Sequence, residues 1–221
     1  MENVHVAIIG IVLASFLLAA YIYPLMPEKI ATHWGIEGKP NGYSGRLLGT
    51  FMMPAMLLLI SIFLYYVPKL DPLKANVKKF REYFDRFILL LGAFLFYLQV
   101  LVVYWNLGNE FDFGQMLLPA FGVLFYYIGV LIVNAKRNWF IGIRTPWTLS
   151  SDRVWDKTHA IGGKLFKATG IIAFLGLFLP QVGFMLVIAM AIAIVVWSFV
   201  YSYVEFRNEE RLNQNKKERK K

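Results

Sequence analysis

The sequence predicts an all-α integral membrane protein with six transmembrane helices and both termini cytoplasmic. Three observations predict it. The chain of 221 residues is 58% hydrophobic with a mean hydropathy of +0.53, above the roughly 45–50% apolar content of ordinary soluble domains. The excess is gathered into runs about as long as the ~20 helical residues that cross a bilayer. The basic residues sit between and after those runs, in loops that alternate with loops holding few. Backbone groups in hydrocarbon must bond within their own segment, so each run is expected to be a helix.

Taken in order, the runs 4–25, 47–67, 87–107 and 115–133 each supply one span. The first follows only "MENVH" and ends in "YPLMPEK", with no basic leader and no small-residue cleavage site. It therefore reads as a retained helix rather than a signal peptide. The run 165–204 is too long for one crossing, and "LPQVG" at 179–183 places Pro, Gln and Gly at its middle. That punctuation is expected to make a tight turn between a fifth and a sixth span.

Charge tests that count. Segment 68–86 holds Lys69, Lys74, Lys78, Lys79, Arg81 and Arg86, and segment 134–164 holds Lys136, Arg137, Arg144, Arg153, Lys157 and Lys164. The tail adds Arg207, Arg211, Lys216, Lys217, Arg219, Lys220 and Lys221. The first loop has Lys29, Lys39 and Arg46, while 108–114 and the turn at Pro180 have none. With an even number of spans the three basic segments share one side, which the positive-inside rule makes the cytoplasm. The same placement accounts for the net charge of +9 without direct nucleic-acid binding. The absence of cysteine removes disulfides, thiolate nucleophiles and Cys-ligated metals.

The expected organisation is a two-helix unit at 1–67 with a structured extracellular loop at 25–46, a four-helix unit at 68–204 with a cytoplasmic loop at 134–164, and a basic cytoplasmic tail at 205–221. In "KANVKKFREYFDRF", Val77, Phe80, Phe84 and Phe87 recur at helical spacing. They predict either a short interfacial helix lying among the headgroups or a charged extension of the third span. The tail is expected to be a solvated helix end fraying into disorder. No internal repeat supports an inverted-repeat transporter.

Two polar segments ask for more than a connector. The first, "PLMPEKIATHWGIEGKPNGYSGR", is dense in proline and glycine, and its "KPNG" is expected to form a turn. His33 and Trp34 at its centre suit a headgroup-level pair. His33 with Glu37 is too small a set for a metal. The second, "NAKRNWFIGIRTPWTLSSDRVWDKTHAIGGKLF", begins with the interfacial anchors Lys136, Arg137 and Trp139. Pro146 biases Thr145 toward an extended backbone, and Ser150 or Ser151 is expected to cap a new helix. Along that helix Trp155, His159 and Gly162 or Gly163 share a face, which leaves Asp152, Asp156 and Lys157 for solvent or ion pairs. Arg144 and Arg153 could hold a phosphate, although no glycine-rich cradle for a nucleotide accompanies them.

No catalytic constellation, metal or cofactor is expected. His5, His33 and His159 fall on both membrane faces, Lys167 is placed to snorkel, and Gln99 and Asn106 are the polar residues of the third span. Two rival readings name their residues. A small transporter of peptide or lipid would need a mid-membrane path at Gln99 and Asn106. A membrane-embedded enzyme with a site at the cytoplasmic face would need His159, Arg144 and Asp152 or Asp156 to converge, or Ser150 or Ser151 to meet His159.

The two segments together resemble the SdpI family, membrane immunity proteins against the secreted sporulation-delaying protein toxin. In the first segment the resemblance is carried by Pro27, Ile30, His33, Trp34, Gly38, Pro40 and Gly42. In the second it is carried by Asn138, Gly142, Ile143, Arg144, Thr145, Pro146, Trp147 and Thr148, continuing through Trp155, Thr158, His159, Gly162 and Gly163. The resemblance implies a protein that protects its cell from a secreted toxic peptide and that, with toxin bound, holds a winged-helix repressor at the membrane. His33, Trp34, Gly38 and Tyr43 would then contact the ligand outside. The stretch from Asn138 to His159 would form the inward element. Membrane lipids, the toxin and the repressor are the partners it implies.

Overall fold

The computed structural model describes residues 2–35 and 37–219, so Lys220 and Lys221 of the tail lie outside the described residues. In chain order the elements are α1 (Glu2–Ile22), a hairpin of β1 (Lys29–Trp34) and β2 (Pro40–Gly45), α2 (Arg46–Leu70), α3 (Lys74–Lys79), α4 (Arg81–Asn106), α5 (Phe113–Asn134), α6 (Pro146–Ser150), α7 (Asp152–Leu175) and α8 (Pro180–Glu218). Among the described residues six helices, α1, α2, α4, α5, α7 and α8, are long and apolar enough to cross a membrane. The break near Pro180 separates the fifth from the sixth, as the sequence predicts. His5 meets Tyr65, Asp71 bonds Trp139 and Lys157 pairs with Glu205. These contacts gather the basic loops and the start of α1 at one end of the bundle. The hairpin lies at the other.

The outer faces of the helices carry large apolar residues, unlike those of a soluble bundle. On α1 the large residues Val6, Ile9, Leu13 and Leu17 are exposed at helical spacing, whereas Ser15 and Ala19 are buried. Lipid rewards apolar bulk outside, and helices approach closely where residues are small. α5 and α7 carry this furthest. A Cβ on Gly163 would lie 2.8 Å from the Gly129 carbonyl oxygen, and one on Gly129 would lie 2.5 Å from that of Gly163. Gly122 and Gly170, one heptad along each helix, repeat the reciprocal contact. α1 and α4 are instead joined by a polar staple. The Ser15 hydroxyl donates to Gln99 Oε1, and Gln99 Nε2 donates to the Ser15 carbonyl at 2.9 Å. Each buried polar group there has a partner, which removes the cost of placing it in hydrocarbon.

Three local expectations change. "KPNG" is not the hairpin turn: Pro40 pairs with Trp34 and Gly42 with His33 inside the two-stranded sheet. The chain reverses between Trp34 and Pro40, where Gly38 takes φ +72°. Gly42 is needed for closeness instead, since a Cβ there would fall 2.9 Å from His33 Cβ. The apolar stripe from Val77 to Phe87 is broken at Phe80, whose φ of −123° ends α3 before α4 begins. Val77, Phe80 and Phe84 are buried with Ile141 and Trp155 rather than laid among headgroups, because the loop after α5 covers them. The tail does not fray within the described residues. α8 continues to Glu218, steadied by ion pairs of Glu205 with Lys157 and of Arg207 with Glu210.

Candidate functional site

Candidate residues sit at both ends of the bundle, and the two settings differ. At the hairpin end, Asn106 of α4 grips the backbone of β1. Its Oδ1 accepts from the Ala31 N–H at 2.8 Å and its Nδ2 donates to the Ala31 carbonyl at 3.0 Å. So held, the strand brings Trp34 flat against Phe113, with ring centroids 3.9 Å apart, and nearly perpendicular to Trp105. His33 is exposed, its Nδ1 bonded to Asn41 Oδ1. Beside them a cavity of about 240 Å³ opens between the hairpin, α4, α5 and the start of α8. It is lined by His33, Trp34, Val102, Asp112, Gln181 and Phe184, among others. Gly38 is not in that lining; its turn rests against Asp112, the residue that caps α5. Tyr43 is exposed opposite Ala31. The structure thus brings His33 and Trp34 together at one recess and leaves Gly38 and Tyr43 outside its lining.

The basic end is built from hydrogen bonds. Asn138 is fully buried. Its Oδ1 accepts from the N–H groups of Phe140 and Ile141, and its Nδ2 donates to the carbonyls of Lys136 and Ile141. Gly142 takes φ +114°, and a Cβ on it would lie 2.5 Å from His159 Nε2. That approach lets the Ile143 N–H donate to His159 Nε2 at 3.0 Å, while Nδ1 bonds the Trp155 carbonyl at 2.8 Å. The two bonds fix the neutral imidazole with its proton on Nδ1. Trp155 stacks on that ring at 3.9 Å and donates its indole N–H to the Ala135 carbonyl.

Thr145 is extended, as Pro146 requires, and with Thr148 closes a capping box on α6, with Pro146 in its first turn. Its hydroxyl also donates to Ser202 of α8 at 2.9 Å. Trp147 packs on Phe199 and Tyr203. Ser151 caps α7 through the Val154 N–H, as predicted, and donates its hydroxyl to Glu209. Gly163 is the close-approach residue against α5 already described. Arg144 and Pro146 are exposed.

These pairings bear on the two rival arrangements. His159 spends both ring nitrogens inside the loop, Arg144 bonds the Trp139 carbonyl, Asp152 pairs with Arg137 and Asp156 faces Lys136. Ser150 bonds back into α6 and Ser151 turns to Glu209, so neither meets His159. The convergent acid–base set is not formed. Gln99 and Asn106, which a transport path would need, are committed to the α1 staple and to β1.

Several residues that matter here escape a sequence reading. Asp71 is buried and accepts from the N–H groups of Leu73 and Trp139 at 2.7 and 2.9 Å, and Asn76 donates to the Arg137 carbonyl. Together they tie the second loop to the fourth. An Asp directly before Pro72 is a turn signal and could have flagged the first. Ser202 and Glu209 carry no local signal at all.

With this geometry in hand, the comparisons can be placed on it. The SdpI/YfhL protein family matches residues 134–202, from the end of α5 to Ser202. A domain of unknown function, DUF1648, matches 10–58, the region of α1, the hairpin and α2. The chain is 27% identical to Immunity protein SdpI of Bacillus subtilis (strain 168), over 87% of this chain and 91% of that protein. It is 29% identical to Uncharacterized membrane protein YbgB of the same organism over 52 residues, 24% of this chain and 57% of that one. No solved structure matches. This is a multi-pass membrane protein whose residues 134–202 match the SdpI/YfhL protein family.

Proposed function

We propose that this chain is a membrane immunity protein that protects its cell against a secreted toxic peptide. The observation that carries the reading is the likeness to Immunity protein SdpI across 87% of the chain. The distribution of lysine and arginine supports an orientation with the basic end in the cytoplasm and the hairpin outside. In that orientation the recess at His33 and Trp34 is a largely apolar pocket open to a peptide arriving from outside, with Gly38 and Tyr43 elsewhere on the hairpin. Expression in a toxin-sensitive host tests the proposal. A normally inserted chain restores growth in the presence of the toxin; full sensitivity despite normal insertion refutes it for that toxin.

The finer reading is a receptor that holds a winged-helix repressor at the cytoplasmic face. It is favoured by a charged cleft of about 450 Å³ between the start of α7 and α8, lined by Arg137, Arg153, Glu209 and Glu210. Such a surface suits a polar protein partner better than a lipid. Arg153→Glu should reduce repressor recruitment to membranes while leaving insertion and protection in place. Unchanged recruitment would remove the cleft from the contact.

A further inference from the structure

A second recess at the basic end is apolar, and neither the fold nor the immunity reading uses it. It is a cavity of about 350 Å³ bounded by Phe63 of α2, Phe87 of α4, Ile128 of α5, Phe166 of α7, and Ile143 and Arg144 of the loop between α5 and α6. The volume falls within the roughly 300–1,000 Å³ of ordinary ligand sites. Arg144 supplies the only charged side chain of the lining. Four of the walls are membrane-crossing helices, and Phe63 on the rim is well exposed, so the rim meets lipid rather than water.

Arg144, like Arg153 and Lys164, is in no ion pair among the described residues, but Arg144 alone of the three lines this recess. Lys136, Arg137 and Lys157 each face a carboxylate. Among the described residues Arg144 has no such partner, and its one hydrogen bond takes Nη1 to the Trp139 carbonyl at 2.9 Å. The rest of the guanidinium fork remains for an anion, and phosphate matches that geometry. Phe140 is part of the lining, and Trp139 beside it in the chain is an exposed aromatic of the kind that sits at headgroup level.

We propose that this recess binds an anionic phospholipid, with an acyl chain between Phe63, Phe87, Ile128 and Phe166 and the phosphate on Arg144. The apolar walls argue for a lipid over free phosphate, and the lone cation argues for an anionic headgroup over a zwitterionic one. The site is independent of the immunity reading and stands if that reading fails.

The test uses the full chain in micelles, with phosphatidylglycerol and phosphatidylcholine offered together and retained lipid measured by native mass spectrometry. Both lipids offer a phosphate, but the choline cation offsets its charge in phosphatidylcholine, so one arginine predicts about fivefold preference for phosphatidylglycerol. R144Q abolishes the preference and R144K keeps most of it. R153Q, an exposed cation outside this lining, leaves it unchanged. Ile128→Trp, which fills the space, lowers retention of both lipids, and with R144K it carries the test if R144Q does not insert. Equal retention of the two lipids by the unaltered chain overturns the proposal, as does an equal loss in R153Q or undiminished retention in I128W. So does a rise in melting temperature with inorganic phosphate alone that matches the rise with phosphatidylglycerol.

Discussion

The two ends of this bundle hold their distinctive residues by different means. At the basic end Asn138 alone takes part in four hydrogen bonds, and Thr145, Trp155 and His159 are buried and bonded. At the hairpin end Trp34 is held by stacking, His33 is exposed, and the hydrogen bonds of Asn106 fix only the strand behind them. The specific sequence pattern lies at the first end, yet most of its residues build the loop and few are left for a ligand. A dense motif can record how exacting a backbone is to fold. A sparse one with an open recess can be the better place to seek recognition.

Substitutions can break or sharpen this contrast. The largest effect is expected from Asn138→Ala, which orphans buried groups at about 1–3 kcal/mol each. It should cost about 3 kcal/mol or more in all, seen as loss of monodisperse protein, with protection falling only as protein is lost. Gly142→Ala should cost about 2–3 kcal/mol, because a Cβ at positive φ must also displace His159. Its readout is a lower melting temperature. At the other end Asn106→Ala should cost about 1–2 kcal/mol and speed hydrogen exchange at the Ala31 amide while the basic end stays protected. His33→Ala should be smallest in stability, within about 0.5 kcal/mol as for an ordinary surface site, but should lower protection at unchanged protein level. If it destabilises as much as Asn138→Ala, the contrast between the ends is wrong.

Much of this was legible in the sequence, and the boundary of what was legible has a physical cause. Spans follow from apolar run length, the break near Pro180 from punctuation, and the Ser151 cap from the serines before Asp152. The shared face of Trp155, His159 and the glycines follows from helical period. Each of these is local. The hairpin is not legible because its strands alternate poorly: Ile30 and Ala31 are both buried, Ile30 against Ile22, Met26 and Val103 and Ala31 gripped by Asn106 of α4. Gly42 read as a turn residue because a sequence does not distinguish freedom of φ from lack of room. Asp71, Asn76, Ser202 and Glu209 act across the bundle on partners far along the chain, and no periodicity points to such a pairing. The stripe at Val77, Phe80 and Phe84 is legible from helical period, but its cover is not, since that cover is the distant loop after α5.

The length of α8 has a mechanical consequence. At 1.5 Å per residue its 39 residues make a rod roughly 58 Å long, against a hydrocarbon layer of about 30 Å. Clasped near its exit by Lys157 on Glu205 and by Ser151 on Glu209, the rod leaves the bilayer at a set bearing. A flexible tether would let an attached partner sample every direction. This one is a boom: what binds along it is held at a fixed distance and azimuth from the membrane, and a small tilt of α8 at its clasp becomes a large sweep at its tip.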